Sequence, residues 1–390
     1  MADEISQRNI LDSSCLGVTA GLVIFMMSAT GVLLTYERQI TAWFDKSAYT
    51  TPAPATARMP ITGLLAKVRD HAPDITPAAL TISSDDTAPV AVRLNRASIL
   101  YLNPYTGAIL GEGARGIRNF FHAVTGWHRW FNTEGTARET ARAITGACNL
   151  VFLILVISGM YLWLPRRLKW PFFRGVLLFN SQAKTGRARD YNWHHVFGIW
   201  TSIPLLIVIA TAVVFSYPWA SNLVFRSVGE EPARRGLHGA GPETGFGGRA
   251  GTATVSGSQL ETVPGMTLDA LFERAARYQN SWNTLTMLLP DSQFNTVSFI
   301  IDQGNGGQPQ KRQQLTLNRH SGEVVKWEPF NSQSAGRRLR VLIRFLHTGE
   351  VLGIAGQTIA GLVSLTALIM VWTGFALAYR RLVTPLFRKT

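Results

Sequence analysis

The chain has 390 residues, 46% of them hydrophobic and 16% charged, with a formal net charge of +14. Its mean hydropathy of +0.10 is too low for a chain of membrane spans alone, so large polar segments must accompany the apolar runs. The basic residues cluster at the ends of those runs rather than on one polar face, which marks membrane topology and excludes a nucleic-acid partner.

Residues 1–37 hold the N-terminus and the first apolar run, Cys15 to Tyr36. A run of about 20 apolar residues suffices to cross a ~30 Å hydrocarbon core. It lacks a small-residue cleavage pattern and reads as an anchor. Residues 38–118 form a first polar domain: a helix over Ile61–His71, an alternating strand Ala91–Leu94, and a hairpin from Ile99–Leu102 through Asn103–Gly107 into Ala108–Leu110. In that turn Pro104 sets φ early and Gly107 takes a positive φ.

Residues 119–165 comprise an interfacial helix carrying His122 and His128, then the second span, Ile144 to Leu164. The loop 166–192 has seven Lys or Arg against one acid, Asp190. Residues 193–217 are the third span, opened by His194 and His195 and interrupted by Pro204. Residues 218–345 are a second polar domain: a Gly-, Ser- and Thr-rich loop over 235–259, a helix over Leu268–Tyr278, a strand over Thr296–Ile301, and a hairpin from Gln314–Leu317 through Asn318–Gly322 into Glu323–Val325. Residues 346–380 contain His347 and the fourth span, Ala360 to Tyr379, and 381–390 form a basic tail. The basic loop and tail place both termini in the cytoplasm and both polar domains on the extracytoplasmic side of the membrane.

The halves correspond. At an offset of 181, Gly17 falls on Gly198, Thr30 on Thr211 and Tyr36 on Tyr217; at 215, Gly146 falls on Gly361 and Gly159 on Gly374. The same 215 aligns Leu100–Asn103 and Gly107 with Leu315–Asn318 and Gly322. The expected fold is an integral membrane α-helical protein: a four-helix transmembrane bundle built from two parallel repeats, with two small α+β periplasmic domains.

His128 and His347 precede the second and fourth spans, and a gapless offset of 215 misses their alignment by four residues, one helical turn. They are expected to meet at the periplasmic mouth of the bundle as a bis-histidine pair; the plainer alternative is a pair of interfacial histidines. His122 could serve a second cofactor, assist proton transfer or face solvent. His194 is preferred over His195 as a cytoplasmic-side ligand, because Gly198 one turn on could admit a flat macrocycle. Its counterpart in the first half is Ser13, and that of His195 is Ser14, which leaves the ligand opposite His194 open. His71, His238 and His320 read as solvated. Trp127, Trp130, Trp163, Trp193, Trp219 and Trp372 read mostly as an interfacial belt, with Trp127 or Trp193 able to stack on a macrocycle. The two cysteines, Cys15 and Cys148, belong to no CxxC or CxxCH motif, which excludes covalent c-type haem.

The helix-plus-hairpin unit ending in Leu-x-Leu-Asn-x-x-Thr/Ser-Gly resembles the PepSY domain. Gly126-Trp127-His128-Arg129-Trp130, Ser158 through Arg166, Asn192-Trp193-His194 and Leu346-His347-Thr348-Gly349 extend the likeness over nearly the whole chain. The chain thus resembles the PepSY-associated transmembrane family of iron-regulated inner-membrane proteins, most of all its ferric-siderophore reductases of the ferrioxamine type. That resemblance implies two b-type haems and a ferric siderophore, of hydroxamate type, as substrate.

The chain has no Walker A, GxGxxG, HExxH or GxSxG motif, and the cytoplasmic loop is too short for a flavin or nicotinamide domain. Electrons would come from membrane quinol or a separate cytoplasmic reductase. Two other readings are a membrane-anchored PepSY binding module without redox activity, which uses strand edges to recruit a peptide, and a transporter, which the parallel repeats favour least.

Overall fold

The computed structural model describes residues 2–47, 49, 57–95, 98–163, 170–231, 265–289, 295–382 and 384. The first-half elements are α1 (Ala2–Leu34), α2 (Glu37–Ser47), α3 (Ile61–His71), β1 (Ala79–Ser83), β2 (Val90–Arg93), β3 (Ile99–Leu102), β4 (Ile109–Glu112), α4 (Arg115–Trp130) and α5 (Ala137–Trp163). The remainder are α6 (Trp170–Leu177), α7 (Gly186–Ser216), α8 (Pro218–Arg226), α9 (Leu268–Tyr278), β5 (Thr284–Leu288), β6 (Thr296–Asp302), β7 (Arg312–Asn318), β8 (Val324–Pro329), α10 (Ala335–His347) and α11 (Gly353–Leu382). They form two compact units: a helical one from Met1–Tyr36, Phe121–Val224 and Leu346–Thr390, and a sheet-bearing one from Glu37–Phe120 and Phe225–Phe345.

Among the described residues, four helices are long and apolar enough to cross a membrane: Gly17–Leu34, Ala137–Trp163, Gly186–Ser216 and Glu350–Arg381. The chain is a multi-pass membrane protein. In this unit α7 packs on α5 and α11, and α1 packs on α11 and α5. Small residues let the α1–α11 backbones approach: the Phe375 ring lies over Gly21, Ser364 sits beside Gly31, and Thr35 beside Gly361. Val156, Leu205, Ile209, Val363, Ala367 and Met370 fill the contact between α5, α7 and α11. Thr185 caps α7 by accepting from the Ala188 N–H at 3.2 Å, and the helix runs on through Pro204. One buried carboxylate ties span ends together: Asp190 accepts from Arg189 at 3.0 Å and from Arg380 at 2.5 Å.

The sequence predicts two separate small domains, and here the structure differs. The strands of both join in a single antiparallel sheet of order β4-β3-β2-β1-β5-β6-β7-β8. β1 and β5 pair at its centre with Leu80 opposite Met287, and Thr81 bonds Thr286 across the seam at 2.9 Å. Helices α3 and α9 cover one face, so Leu64, Val68, Leu80, Leu271, Met287 and Phe299 belong to one buried core. The physical reason is burial: a four-stranded half with one helix leaves a central strand edge unpaired, and joining the halves satisfies both edges at once.

The two hairpin turns are the same device. Asn103 Oδ1 accepts the N–H groups of Tyr105 and Thr106, and Asn318 Oδ1 those of His320 and Ser321. Gly107 and Gly322 follow at φ +67° and +68°. The sulfurs of Met59 and Met266 lie where a Cβ on each glycine would project. Both hairpins also carry an irregularity at equivalent strand positions, Tyr101/Leu102 and Thr316/Leu317. The loop 235–259 and His238 lie outside the described residues.

Candidate functional site

The site is built on the helical unit from span ends and the helices that precede spans two and four. His128 sits near the end of α4 and His347 ends α10. Their rings lie with centres 6.4 Å apart and planes tilted by 58°. The four-residue mismatch in the sequence is absorbed between helices. His128 is followed by Trp130, a turn with Phe131 and Asn132 both at φ 53°, and the start of α5 at Ala137; His347 leads within six residues to α11 at Gly353.

Those connections explain the motifs around the histidines. A Cβ on Gly126 would collide with Asn132, whose N–H donates to the Gly126 carbonyl at 3.0 Å. Gly349 has φ +76°, and a Cβ there would meet the Gly356 backbone directly. The glycine of Leu-His-Thr-Gly is therefore needed for conformation and for a backbone crossing at once. Thr145 donates to the Arg129 carbonyl at 2.8 Å and ties the end of α4 to α5.

Each histidine is held at Nδ1. His128 Nδ1 lies 2.9 Å from Thr30 Oγ1, and the ring also bonds the Met27 carbonyl. His347 Nδ1 lies 3.0 Å from Thr211 Oγ1 and 3.0 Å from the Val208 carbonyl. Thr30 and Thr211, like Met27 and Val208, stand at the offset of 181. His194, at the opposite end of the bundle, shows the same arrangement: Nδ1 is 3.0 Å from Thr373 Oγ1 and 3.1 Å from the Met370 carbonyl. A glycine adjoins two of these threonines, and a Cβ on Gly31 or Gly374 would lie 3.7 or 3.8 Å from the Cε1 of His128 or His194.

The other candidates are placed differently. His195 bonds the Tyr191 carbonyl through Nδ1 at 2.8 Å and stacks near Tyr191, with centres 4.1 Å apart. Its ring is 6.3 Å from that of His194. His122 is exposed on α4 and is not brought to the pair; His71 and His320 are exposed. Gly198 does not leave the free space expected of it, because the Trp163 indole lies over it and a Cβ there would run into that ring. Trp163 is thus a packing residue rather than part of an interfacial belt, while Trp127, Trp193, Trp219 and Trp372 are exposed.

A profile of the PepSY-associated TM region matches residues 14–381. The chain belongs to that family. No curated protein matches this PepSY-associated TM chain.

The donor set can be tested for haem on its own chemistry. Among the described residues there is no group of three or more His, Cys, Asp or Glu able to hold a metal ion, so the His128–His347 pair falls short of the four ligands of a structural zinc site. Two imidazoles do suit a metal whose remaining ligands come from a macrocycle. Rings sharing one metal through Nε2, at metal–nitrogen distances of about 2.0–2.1 Å, would have centres about 6 Å apart. The observed 6.4 Å fits.

Among the described residues of the sheet unit, Asp45 forms a buried polar centre, as Asp302 does with Arg312 at 2.8 Å. Asp45 is buried and accepts from the Tyr101 hydroxyl at 3.0 Å, the Ala114 N–H at 2.7 Å and the Arg118 guanidinium. Burial first, then the Asp45 carboxylate, raises the Tyr101 phenol above its usual range. None of the four stands out as a site residue in the sequence, because their separations along the chain give no local signal.

Proposed function

We propose that this PepSY-associated TM protein is a haem-dependent ferric-siderophore reductase of the bacterial inner membrane. On this reading the bundle is a two-repeat frame, the sheet unit is periplasmic, and both termini are cytoplasmic. The observation that carries it is the His128–His347 pair at 6.4 Å, each ring held at Nδ1. These two residues would hold one b-type haem, and His194 would serve a second on the cytoplasmic side. Haem bound there supplies one-electron transfer.

The chain's own contribution is to hold these imidazoles against the spans through hydrogen bonds at Nδ1. The substrate is iron(III) in a hydroxamate-type siderophore, and one electron per iron yields iron(II). Hard oxygen ligands hold iron(II) less tightly, so the metal is released. Two electron sources remain in the reading, membrane quinol and a separate cytoplasmic reductase. Quinol is supported by an open cavity of about 340 Å³ lined by Phe25, Arg189, Asp190, Trp193, Trp372 and Thr373, the last of which bonds His194.

The test is turnover. Purified protein in liposomes, reduced and mixed anaerobically with a ferric hydroxamate and an iron(II) chelator, should form the iron(II) complex and reoxidise with matching stoichiometry. A reduced protein that stays reduced in excess ferric hydroxamate contradicts the proposal.

A further inference from the structure

We infer that Thr30, Thr211 and Thr373 are positioning residues that fix His128, His347 and His194 in one tautomer, with the proton on Nδ1 and Nε2 left as the free ligand atom. The purpose of this device rests on the haem reading above; its geometry does not.

The assignment follows from which atoms can donate. A backbone carbonyl only accepts, so an imidazole nitrogen bonded to one must carry the proton. His347 and His194 meet the carbonyls of Val208 and Met370 through Nδ1, and His128 meets that of Met27. The threonine hydroxyls have their own proton committed elsewhere. Thr30 Oγ1 reaches the Met26 and Met27 carbonyls at 2.7 and 3.0 Å, Thr211 Oγ1 those of Ile207 and Val208 at 2.9 and 2.7 Å, and Thr373 Oγ1 those of Ile369 and Met370 at 2.9 and 3.1 Å. Each hydroxyl therefore donates to its own helix and presents a lone pair to Nδ1–H.

The same clamp recurs on three spans: a hydroxyl, the carbonyl three residues before it, and a histidine from the neighbouring helix. A fourth position has half of it. Ser158 stands at the offset of 215 from Thr373, and its hydroxyl donates to the Leu155 carbonyl at 3.1 Å. The residue at the register of His194, however, is Ser13. The clamp thus accompanies histidine wherever histidine occurs at these positions. Partners on the second nitrogen orient a ligating imidazole and raise its basicity, and their loss typically costs about 10–100-fold in metal affinity.

The experiment compares Thr→Val, which keeps the shape and removes the acceptor, with Thr→Ser, which keeps both hydroxyl roles, at positions 30 and 211. In folded protein of unchanged elution profile, T30V and T211V should weaken haem retention about 10–100-fold and raise the midpoint potential, while T30S and T211S should match wild type. Valine variants equal to wild type in both readouts overturn the inference, as do serine variants that behave like valine. The tautomer is read separately by 15N NMR of [15N]histidine-labelled protein, reduced with dithionite under carbon monoxide so that any open iron position is filled and the iron is low-spin and diamagnetic. Protonation of His128, His347 and His194 at Nδ1 supports the inference, and protonation of these residues at Nε2 overturns it. A colourless protein with three Nδ1–H histidines would remove the haem reading and leave the clamp standing. A haem protein lacking them would do the reverse.

Discussion

Leu80→Ala probes whether the two polar segments act as one folded body. Leu80 lies on β1 opposite Met287 of β5, and both side chains are fully buried in the shared core. Truncating a buried leucine to alanine costs about 2–5 kcal/mol, because the cavity adds to the lost transfer energy. If the sheet opens as a unit, that loss applies to every amide whose exchange needs global opening. A loss of about 2–5 kcal/mol, at tenfold per 1.4 kcal/mol, speeds such exchange about 30- to 4,000-fold. The informative amides are those of β6 and β7, where Phe299 faces Leu315, more than 200 residues from the substitution. Hydrogen–deuterium exchange of the detergent-solubilised protein should show them accelerating together with β1–β3. Acceleration confined to β1–β4, with β6 and β7 unchanged, would refute the single-core account.

Replacing Asp45 with Asn should destabilise the same unit by about 3–5 kcal/mol, because it strands a buried guanidinium; thermal melts should show the loss, and a variant melting like wild type would count against the Arg118–Asp45 centre. Gly349→Ala places a side chain at φ +76° against the Gly356 backbone, so it should displace His347 and lower haem content even where the protein still inserts. Gly198→Ala must push the Trp163 indole aside, and tryptophan fluorescence should shift without loss of the haem held by His128 and His347. Asp190→Asn replaces the carboxylate shared by Arg189 and Arg380 with an amide that lacks the charge and one acceptor oxygen, and should make the end of α11 more accessible to protease.

The four spans, α3, α9 and the paired hairpins were legible because each carries a local signal: an apolar run of spanning length, a helical period, or an Asn-x-x-x-Gly turn. The central strands β1 and β5 were not. Ala79–Ser83 and Thr284–Leu288 are short, and each owes its conformation to the other, about 205 residues away. Missing them produced two domains where the structure has one sheet. At the site, the correspondence of Thr30 with Thr211 was visible, but its chemistry was not, since a hydroxyl on a span is usually spent on its own helix. Only the contact with a histidine from another helix distinguishes these threonines. Gly198 shows the opposite error: a glycine one turn from His194 suggested room for a macrocycle, and the space belongs to Trp163.

The most direct test of the haem reading is a spectrum with a count. Wild-type protein purified in detergent should show a Soret band and a sharp α-band on dithionite reduction, with a pyridine haemochrome count near two per chain. His128→Ala and His347→Ala should each remove one haem and leave the other. Colourless wild-type protein, or a haem count unchanged in both variants, would contradict the account.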